Sequence, residues 1–168
     1  MPPPAHLDTA RAYVGHTEAA RNSSVHIDRW LQSTGHPPGT PYCAAFTSYC
    51  LNQTEAERPA PPHRTALATN FLQAQGTVDA RKVLRGAARP EAGDVIVWRR
   101  GNGIFGHAGF VSERHRTWQG ACGHTIEANT SPGRQGSQRD GSGVWRRERC
   151  IQPGNYFRIV GFVPVSYP

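Results

Sequence analysis

The feature that most constrains this chain is a cysteine at the start of a short apolar stretch, residues 39–51. Gly39 and Pro41 indicate a turn, and from Cys43 onward the composition and the spacing of apolar residues are typical of a helix. Cys43 is therefore expected in the first turn of a buried helix. There, unpaired N–H groups and the positive end of the helix dipole favour an anion, so the thiol loses its proton more easily. The alternative is a small buried hydrophobic residue, which is what most free cysteines are.

The first half of the chain is predicted to be helical, because its apolar residues recur at intervals of three and four. Asn22 and the serines after it offer a cap between the first two helices, and Gly35 ends the second. A proline-rich connector at 58–62 is too short to separate two domains. The predicted helices cover residues 6–20, 25–34, 43–52 and 66–75.

Beyond residue 90 the pattern changes to short β-branched and aromatic segments separated by glycine-rich turns, which is typical of strands. A loop at 101–106 and a long polar loop at 131–143 interrupt them. Helices followed by strands predict a single α+β domain over 1–168, with a core at about 24–165. In it, N-terminal helices pack on an antiparallel sheet of about five to six strands. The predicted strands cover residues 95–98, 107–111, 125–129, 144–145 and 156–165.

The charge of the chain is +7, and Lys82 is its only lysine, so arginine carries nearly all the positive charge. An excess of arginine suits acidic partners such as nucleic acid, anionic lipid or an anionic cell wall. The arginines are scattered, with small clusters at 99–100 and 146–149, and no nucleic-acid-binding motif accompanies them. We therefore expect a generally basic surface and no specific nucleic-acid partner.

No apolar run is long enough to span a bilayer, so we expect no membrane insertion. The first residues lack the basic and apolar segments of a secretory signal. Either the chain is exported by another route, or a signal was removed earlier.

Four cysteines leave two questions open. Cys43 and Cys50 cannot bond if both lie on one helix, since seven residues rise by about 10 Å. Cys122 and Cys150 lie in loop-like sequence and could form a disulfide, but sequence does not fix connectivity. Alternatively they could bind zinc together with His115 and His124, although these spacings match no common zinc motif.

A cysteine nucleophile needs a base within hydrogen-bond reach, and that base needs a group that orients it. His107 is the best candidate of eight histidines, because it opens a strand directly after a glycine-rich loop. Glu127 and Asn129 are two residues apart on a predicted strand, so both side chains point to one face, where either could orient the imidazole. The alternative is a strand end that runs into solvent at Asn129.

This set of residues resembles the CHAP domain, the cysteine, histidine-dependent amidohydrolase/peptidase domain, which is a branch of the papain-like fold. In that family a cysteine begins the first core helix, and a Pro-x-x-Gly-Asp turn leads into an apolar strand. A Gly-His pair then opens the next strand, and Glu-x-Asn ends a further one. The matching positions are Cys43, 90–98, 106–107 and 127–129. The resemblance covers residues 39–129 and the order of all four motifs.

The resemblance implies a role for each matching side chain. Cys43 would be the nucleophile and His107 the base and later the acid. Glu127 would orient His107 or stabilise its charge, and Asn129 would support the site. Related wall peptidases use a histidine as the third residue, so Glu127 favours the CHAP branch. No metal or cofactor is needed for this chemistry. Four aromatic residues are candidate walls of a substrate groove, although each is more often core: Tyr42, Trp98, Phe105 and Trp118.

The resemblance also implies peptidoglycan as the substrate, with cleavage of either the sugar–peptide amide or a peptide bond of the stem or cross-bridge. A phage lysin and an effector delivered into a rival's periplasm both fit, and a delivered effector would have a cognate immunity protein. We expect a monomer that acts in the periplasm or on the cell wall. The main alternative is a catalytically inactive papain-like module that binds the wall or a partner.

Overall fold

The computed structural model describes residues 3–53, 64–113, 118, 121–133, 136–137 and 140–165. Helices come first: α1 (Ala5–Ala12), α2 (Val25–Ser33), α3 (Cys43–Asn52) and a 3₁₀ helix (Ala68–Gln73). Strand β1 (Val78–Asp79) and helix α4 (Ala80–Leu84) follow. The remaining strands are β2 (Val95–Arg100), β3 (Gly106–Val111), β4 (Cys122–Thr130), β5 (Gly143–Cys150) and β6 (Phe157–Val163).

The six strands form one antiparallel sheet in the order β1-β6-β2-β3-β4-β5. Strands β2 to β5 are neighbours in chain order, and β6 returns to pair with β2. The α+β class and the predicted number of strands are thus confirmed. The domain boundaries stay a prediction.

The sheet separates two clusters of buried side chains, because successive residues of a strand point to opposite faces. On β2, Val95 and Val97 pack in the larger cluster, against Trp30, Phe46 and other residues of the first three helices. Ile96 and Trp98 belong to the smaller cluster, which α4 covers on the other face. Helix α3 is buried on nearly all sides, so the larger cluster fixes its position on the sheet.

Several predicted elements differ in length from the structure, the first helix and β5 most of all. The first helix ends at Ala12 rather than at residue 20. Gly15 lies beyond it with φ of +92°, and the chain then pairs with the start of β5, where Gly15 donates to the Val144 carbonyl at 2.9 Å. Strand β5 was predicted only at 144–145, because the charged residues that follow do not have the pattern of a strand. In the structure it extends to Cys150 and pairs with β4. Strand β1 and helix α4 were not predicted, because both are very short.

The cap predicted between the first helices is confirmed, because the Ser24 hydroxyl accepts the Ile27 N–H at 3.1 Å at the start of α2. Gly35 follows the end of that helix with φ of +77°. The predicted connector at 58–62, and part of the 131–143 loop, lie outside the described residues. Among the described helices, none has both the length and the apolar character that crossing a bilayer requires.

Cys122 and Cys150 form a disulfide, and they lie directly opposite each other on β4 and β5. The disulfide contradicts the zinc alternative, since both thiols are consumed by it; His115 lies outside the described residues. The prediction that these cysteines lie in loops was wrong, because β4 already begins at Cys122 and β5 extends to Cys150. The disulfide ties together the ends of two strands that carry polar residues discussed below.

We expect reduction of this disulfide to destabilise the domain, because it removes a constraint on the unfolded chain. For a bridge of sequence separation 28 the expected loss in free energy of unfolding is about 3.6 kcal/mol. Urea unfolding with and without reductant, and of the Cys122→Ala/Cys150→Ala variant, measures it. Cys50→Ala, which keeps the bridge, is the control. Equal urea midpoints with and without reductant would contradict the expectation.

Candidate active site

Cys43 is the first residue of α3, as predicted from the sequence. No side chain caps this helix, so the N–H groups of its first turn have no capping partner of that kind. The main-chain N–H groups of Ala44 and of Ala108 on β3 point to the sulfur. The cysteine is buried, with 6% of its surface exposed. A negative charge on this sulfur would therefore meet two N–H dipoles and the positive end of the helix.

The thiol of Cys43 interacts with the imidazole of His107, the second residue of β3. Burial by itself would raise the pKa of the thiol, but His107 outweighs burial and lowers it below the ordinary value. Burial would likewise lower the pKa of His107, yet Cys43 and Glu127 together raise it to about 9. These opposite shifts favour a thiolate and an imidazolium over a neutral pair at neutral pH.

The other side of the His107 ring is held by Glu127 on β4, with Nε2 and Oε2 2.8 Å apart. An ionised carboxylate only accepts hydrogen bonds, so Nε2 carries the proton and donates. In the neutral ring, Nδ1 is then the basic nitrogen. Among the described residues, Nδ1 has no hydrogen bond of normal geometry, which leaves it to the nearby thiol. Both side chains are completely buried.

The Glu127 carboxylate receives four hydrogen bonds from the part of the chain that the structure describes. The Thr125 hydroxyl donates to Oε1 at 2.5 Å, and His107 donates to Oε2. Arg149 on β5 donates to both oxygens, from Nε to Oε1 at 2.7 Å and from Nη2 to Oε2 at 2.5 Å. Burial would raise the pKa of Glu127, but Arg149 and His107 lower it to about 2. Glu127 is therefore ionised throughout the neutral range.

Trp98 lies directly opposite His107 in the β2–β3 register and packs on its ring, with centroids 5.1 Å apart. Phe157 on β6 stacks parallel to Trp98 and also approaches His107, at 6.3 Å. Trp98, Phe157 and Arg149 line an open cleft of about 590 Å³. The two aromatic rings thus separate the His107–Glu127 hydrogen bond from this cleft.

Comparisons with known proteins show the family to which the chain belongs. The family model of the CHAP domain matches residues 34–129, which is more than half of the chain. The chain belongs to the CHAP domain family.

The fold of this CHAP domain is similar to that of a solved structure, the wild-type endolysin LysIME-EF1, with a TM-score of 0.50. The two chains are 17% identical, and the alignment covers 93% of this chain and 61% of the endolysin chain. This chain thus spans about three fifths of the endolysin's length, and the likeness concerns the fold alone. No curated protein sequence matches the chain.

A glycine of the CHAP domain makes room for Glu127. Gly109 lies opposite Glu127 in the β3–β4 register. A Cβ atom at Gly109 would come within 2.7 Å of both the Glu127 Cγ and the Ile126 carbonyl oxygen, closer than such atoms approach. Gly109 thus keeps the carboxylate next to His107, which lies two residues earlier on the same strand.

Asn129 departs from the strand geometry assumed in the sequence analysis. The register of β4 and β5 shifts between Glu127 and Thr130, and Asn129 has φ of +57°. A bulge breaks the alternation of faces, so the two-residue spacing no longer places Asn129 beside Glu127. Its side chain is completely buried, and neither its amide nitrogen nor its oxygen makes a hydrogen bond with the described residues. The strand does not end in solvent here.

The four predicted groove residues lie in different environments, and Trp118 is buried against Phe162. Tyr42 has no exposed surface, and its hydroxyl donates to Glu18 at 3.0 Å; a substrate cannot touch it in this conformation. Trp98 is 4% exposed and lies between His107 and the cleft. Phe105 is 63% exposed in the loop that precedes His107, next to the exposed Ile104. Only Phe105 thus has much surface to offer a ligand.

The sequence analysis missed Thr125, Gly109 and Arg149. Arg149 had been assigned to a basic surface cluster, because a single sequence does not show which strand pairs with β4. Thr125 carried a usable signal, since it lies two residues before Glu127 and therefore on the same face. A glycine inside an apolar strand was a second signal, because it often indicates close approach of another group.

The shifted pKa of the Cys43 thiol is testable without a substrate. We expect iodoacetamide to alkylate Cys43 at pH values where ordinary thiols, with a pKa of about 8.5, are mostly protonated. Cys50, on the same helix, is completely buried, and burial raises its pKa well above the ordinary value, so it should resist. Mass spectrometry of peptides from protein treated between pH 5 and 10 measures both rates.

His107→Gln should move the alkylation profile of Cys43 to higher pH, because the cation that favours the thiolate is lost. An unchanged profile in this variant, or parallel profiles for Cys43 and Cys50 in the unaltered protein, would contradict the interaction.

Proposed function

We propose that this CHAP domain is a peptidoglycan hydrolase that cleaves an amide bond with Cys43 as nucleophile, His107 as acid and base, and Glu127 as the residue that orients His107. The observation that supports it best is the His107–Glu127 hydrogen bond, which is completely buried, on an imidazole that interacts electrostatically with a thiol at the start of a helix. This is the arrangement that cysteine-dependent acyl transfer requires.

In the first half of the reaction, the Cys43 thiolate attacks the carbonyl carbon of the amide. The main-chain N–H of Cys43 then stabilises the oxyanion of the tetrahedral intermediate. His107, as imidazolium, gives the proton on Nδ1 to the leaving amine. The C–N bond breaks, and a thioester to Cys43 remains.

In the second half, neutral His107 takes a proton from water through Nδ1, and the resulting hydroxide attacks the thioester. The thiolate leaves and the acid product is released. The initial thiolate–imidazolium pair is thereby restored. Glu127 keeps the proton on Nε2 throughout, so the ring presents the same nitrogen in both halves.

Asn129 is kept as a supporting residue of the site. Its buried amide group has no hydrogen-bond partner among the described residues, and such a group is costly unless something else uses it. Its main-chain N–H faces the hydroxyl of Tyr42, the residue before Cys43. We therefore propose that its side chain serves the reacting group or the substrate rather than the fold.

The choice of peptidoglycan is supported by the CHAP family and by the fold it shares with an endolysin. The charge of +7 favours approach to an anionic cell wall. Phe105, beside His107 and mostly exposed, is proposed to contact the substrate. The scissile bond is either the sugar–peptide amide or a peptide bond of the stem or cross-bridge.

The alternative, an inactive module that only binds the wall or a partner, has less support. A module of that kind has no need to retain a buried carboxylate on the imidazole, because a buried charge is costly to maintain. The shifted thiol pKa would likewise be without use in it.

Loss of turbidity of purified cell walls tests the function. We expect the unaltered protein to clear the walls and Cys43→Ala to be slower by at least about a thousandfold, since the nucleophile is absent. Cys50→Ala is the matched control, because it removes the other free cysteine from the same helix. Mass analysis of the released fragments identifies the bond. Clearing by Cys43→Ala at the rate of the control would refute cysteine catalysis.

A delivered effector and a phage lysin both act on the wall side of the membrane, so the location of the protein should decide its toxicity. We expect growth arrest when the protein is directed to the periplasm of a Gram-negative host and none when it stays in the cytoplasm. Periplasmic Cys43→Ala is the control. Equal toxicity in both compartments would count against a wall substrate. An immunity protein would be recognised as a neighbouring gene product that relieves the periplasmic toxicity.

A further inference from the structure

Arg149 is the residue that the proposed mechanism leaves unused although it touches Glu127. Its guanidinium binds both carboxylate oxygens in the bidentate geometry that fixes a carboxylate in position and orientation. The same Nη2 also donates to the Thr130 hydroxyl at 3.2 Å. Its side chain is 13% exposed, so solvent does little to weaken the ion pair.

The position of Arg149 is fixed from three sides. Its guanidinium carbon lies 5.7 Å from the centre of the Trp98 ring, the ring that also packs on His107. The next residue along β5, Cys150, is bonded to Cys122 on β4. In the β4–β5 register Arg149 lies opposite Gly123, two pairs along from Thr125 and four from Glu127, so these residues share one face of the sheet.

We propose that Arg149 is a positioning residue of the active site, which holds the Glu127 carboxylate so that it orients His107 toward Cys43. This inference rests on the proposed function, since it assigns Arg149 a task in the same reaction. Its two hydrogen bonds to Glu127 are the contacts by which it positions His107.

Arg149 also balances the charge of the site. Arg149 interacts with the charged groups of Glu127 on β4 and Arg147 on β5, and Glu127 in turn interacts with His107 on β3, which interacts with Cys43 on α3. Without the Arg149 cation, the carboxyl, imidazole and thiol groups would each hold their proton more tightly, because a nearby positive charge always favours deprotonation. Removal of Arg149 should therefore shift the titrations of Cys43 and His107 in the same direction, to higher pH.

The test combines two measurements on Arg149→Met and Arg149→Lys. For Arg149→Met we expect wall hydrolysis to fall by about tenfold to a hundredfold, the range for loss of a charged hydrogen bond. The alkylation profile of Cys43 should move up by about one pH unit. Arg149→Lys keeps the charge but loses the bidentate geometry, so its alkylation profile should stay in place while hydrolysis falls.

Two further variants separate positioning from a structural role. Arg146→Met removes an arginine from the same strand that is half exposed and 3.9 Å from Glu113, and it should change neither measurement. In Glu127→Gln/Arg149→Met the second substitution should cost little beyond Glu127→Gln, because Arg149 acts through the lost carboxylate. If Arg149 only stabilised the fold, its substitution would reduce hydrolysis further in the double variant than Glu127→Gln does alone. It would also lower the melting temperature and leave the alkylation profile of Cys43 in place.

The two proposals fail in different ways. Full hydrolysis and an unshifted alkylation profile in Arg149→Met, with Cys43→Ala inactive, would overturn the role of Arg149 and leave the function intact. If the unaltered protein does not hydrolyse walls, the proposed function fails, and the alkylation profile of Arg149→Met still decides whether Arg149 controls the site.

Discussion

The rest of the site depends on one buried carboxylate. Glu127 is completely inaccessible and ionised, and an unpaired charge in that position would cost several kcal/mol. The cost is offset by donors from three adjacent strands: His107 on β3, Thr125 on β4 and Arg149 on β5. The carboxylate is therefore compatible with folding only when these strands pair in one register, which links the chemistry to the topology of the sheet.

Small backbone features maintain that register and the space within it. Gly109 provides room for the carboxylate where any side chain would collide with it. The bulge at Asn129 ends the regular pairing directly after Glu127, and the disulfide joins β4 and β5 at their other ends. Positions outside the regular alternation, such as Asn129 with its positive φ, often occur at functional sites because tertiary structure must hold them.

Sequence alone predicted what depends on local pattern and missed what depends on register. The helix that begins at Cys43 and the strand that begins beside His107 were predicted correctly, since their apolar spacing and flanking glycines are local signals. Arg149 was missed because its meaning comes from β5 pairing with β4, and the charged residues of β5 hid that strand. The prediction that Asn129 points to the same face as Glu127 was wrong. It assumed that side chains alternate regularly along the strand, and a bulge that interrupts this alternation cannot be recognised from the sequence.

The charges along the site alternate in sign, which explains how so many can lie beneath the surface together. In the favoured protonation state, Cys43 is negative, His107 positive, Glu127 negative and Arg149 positive, so the row is neutral overall. Trp98 lies next to both cations: its ring centre is 5.1 Å from that of the tilted His107 ring, and the Arg149 guanidinium lies over its face at 5.7 Å. An aromatic face attracts cations and excludes water, so Trp98 strengthens the row by lowering its exposure. A ligand in the adjoining cleft would meet Trp98 and Arg149 before it could disturb the His107–Glu127 pair.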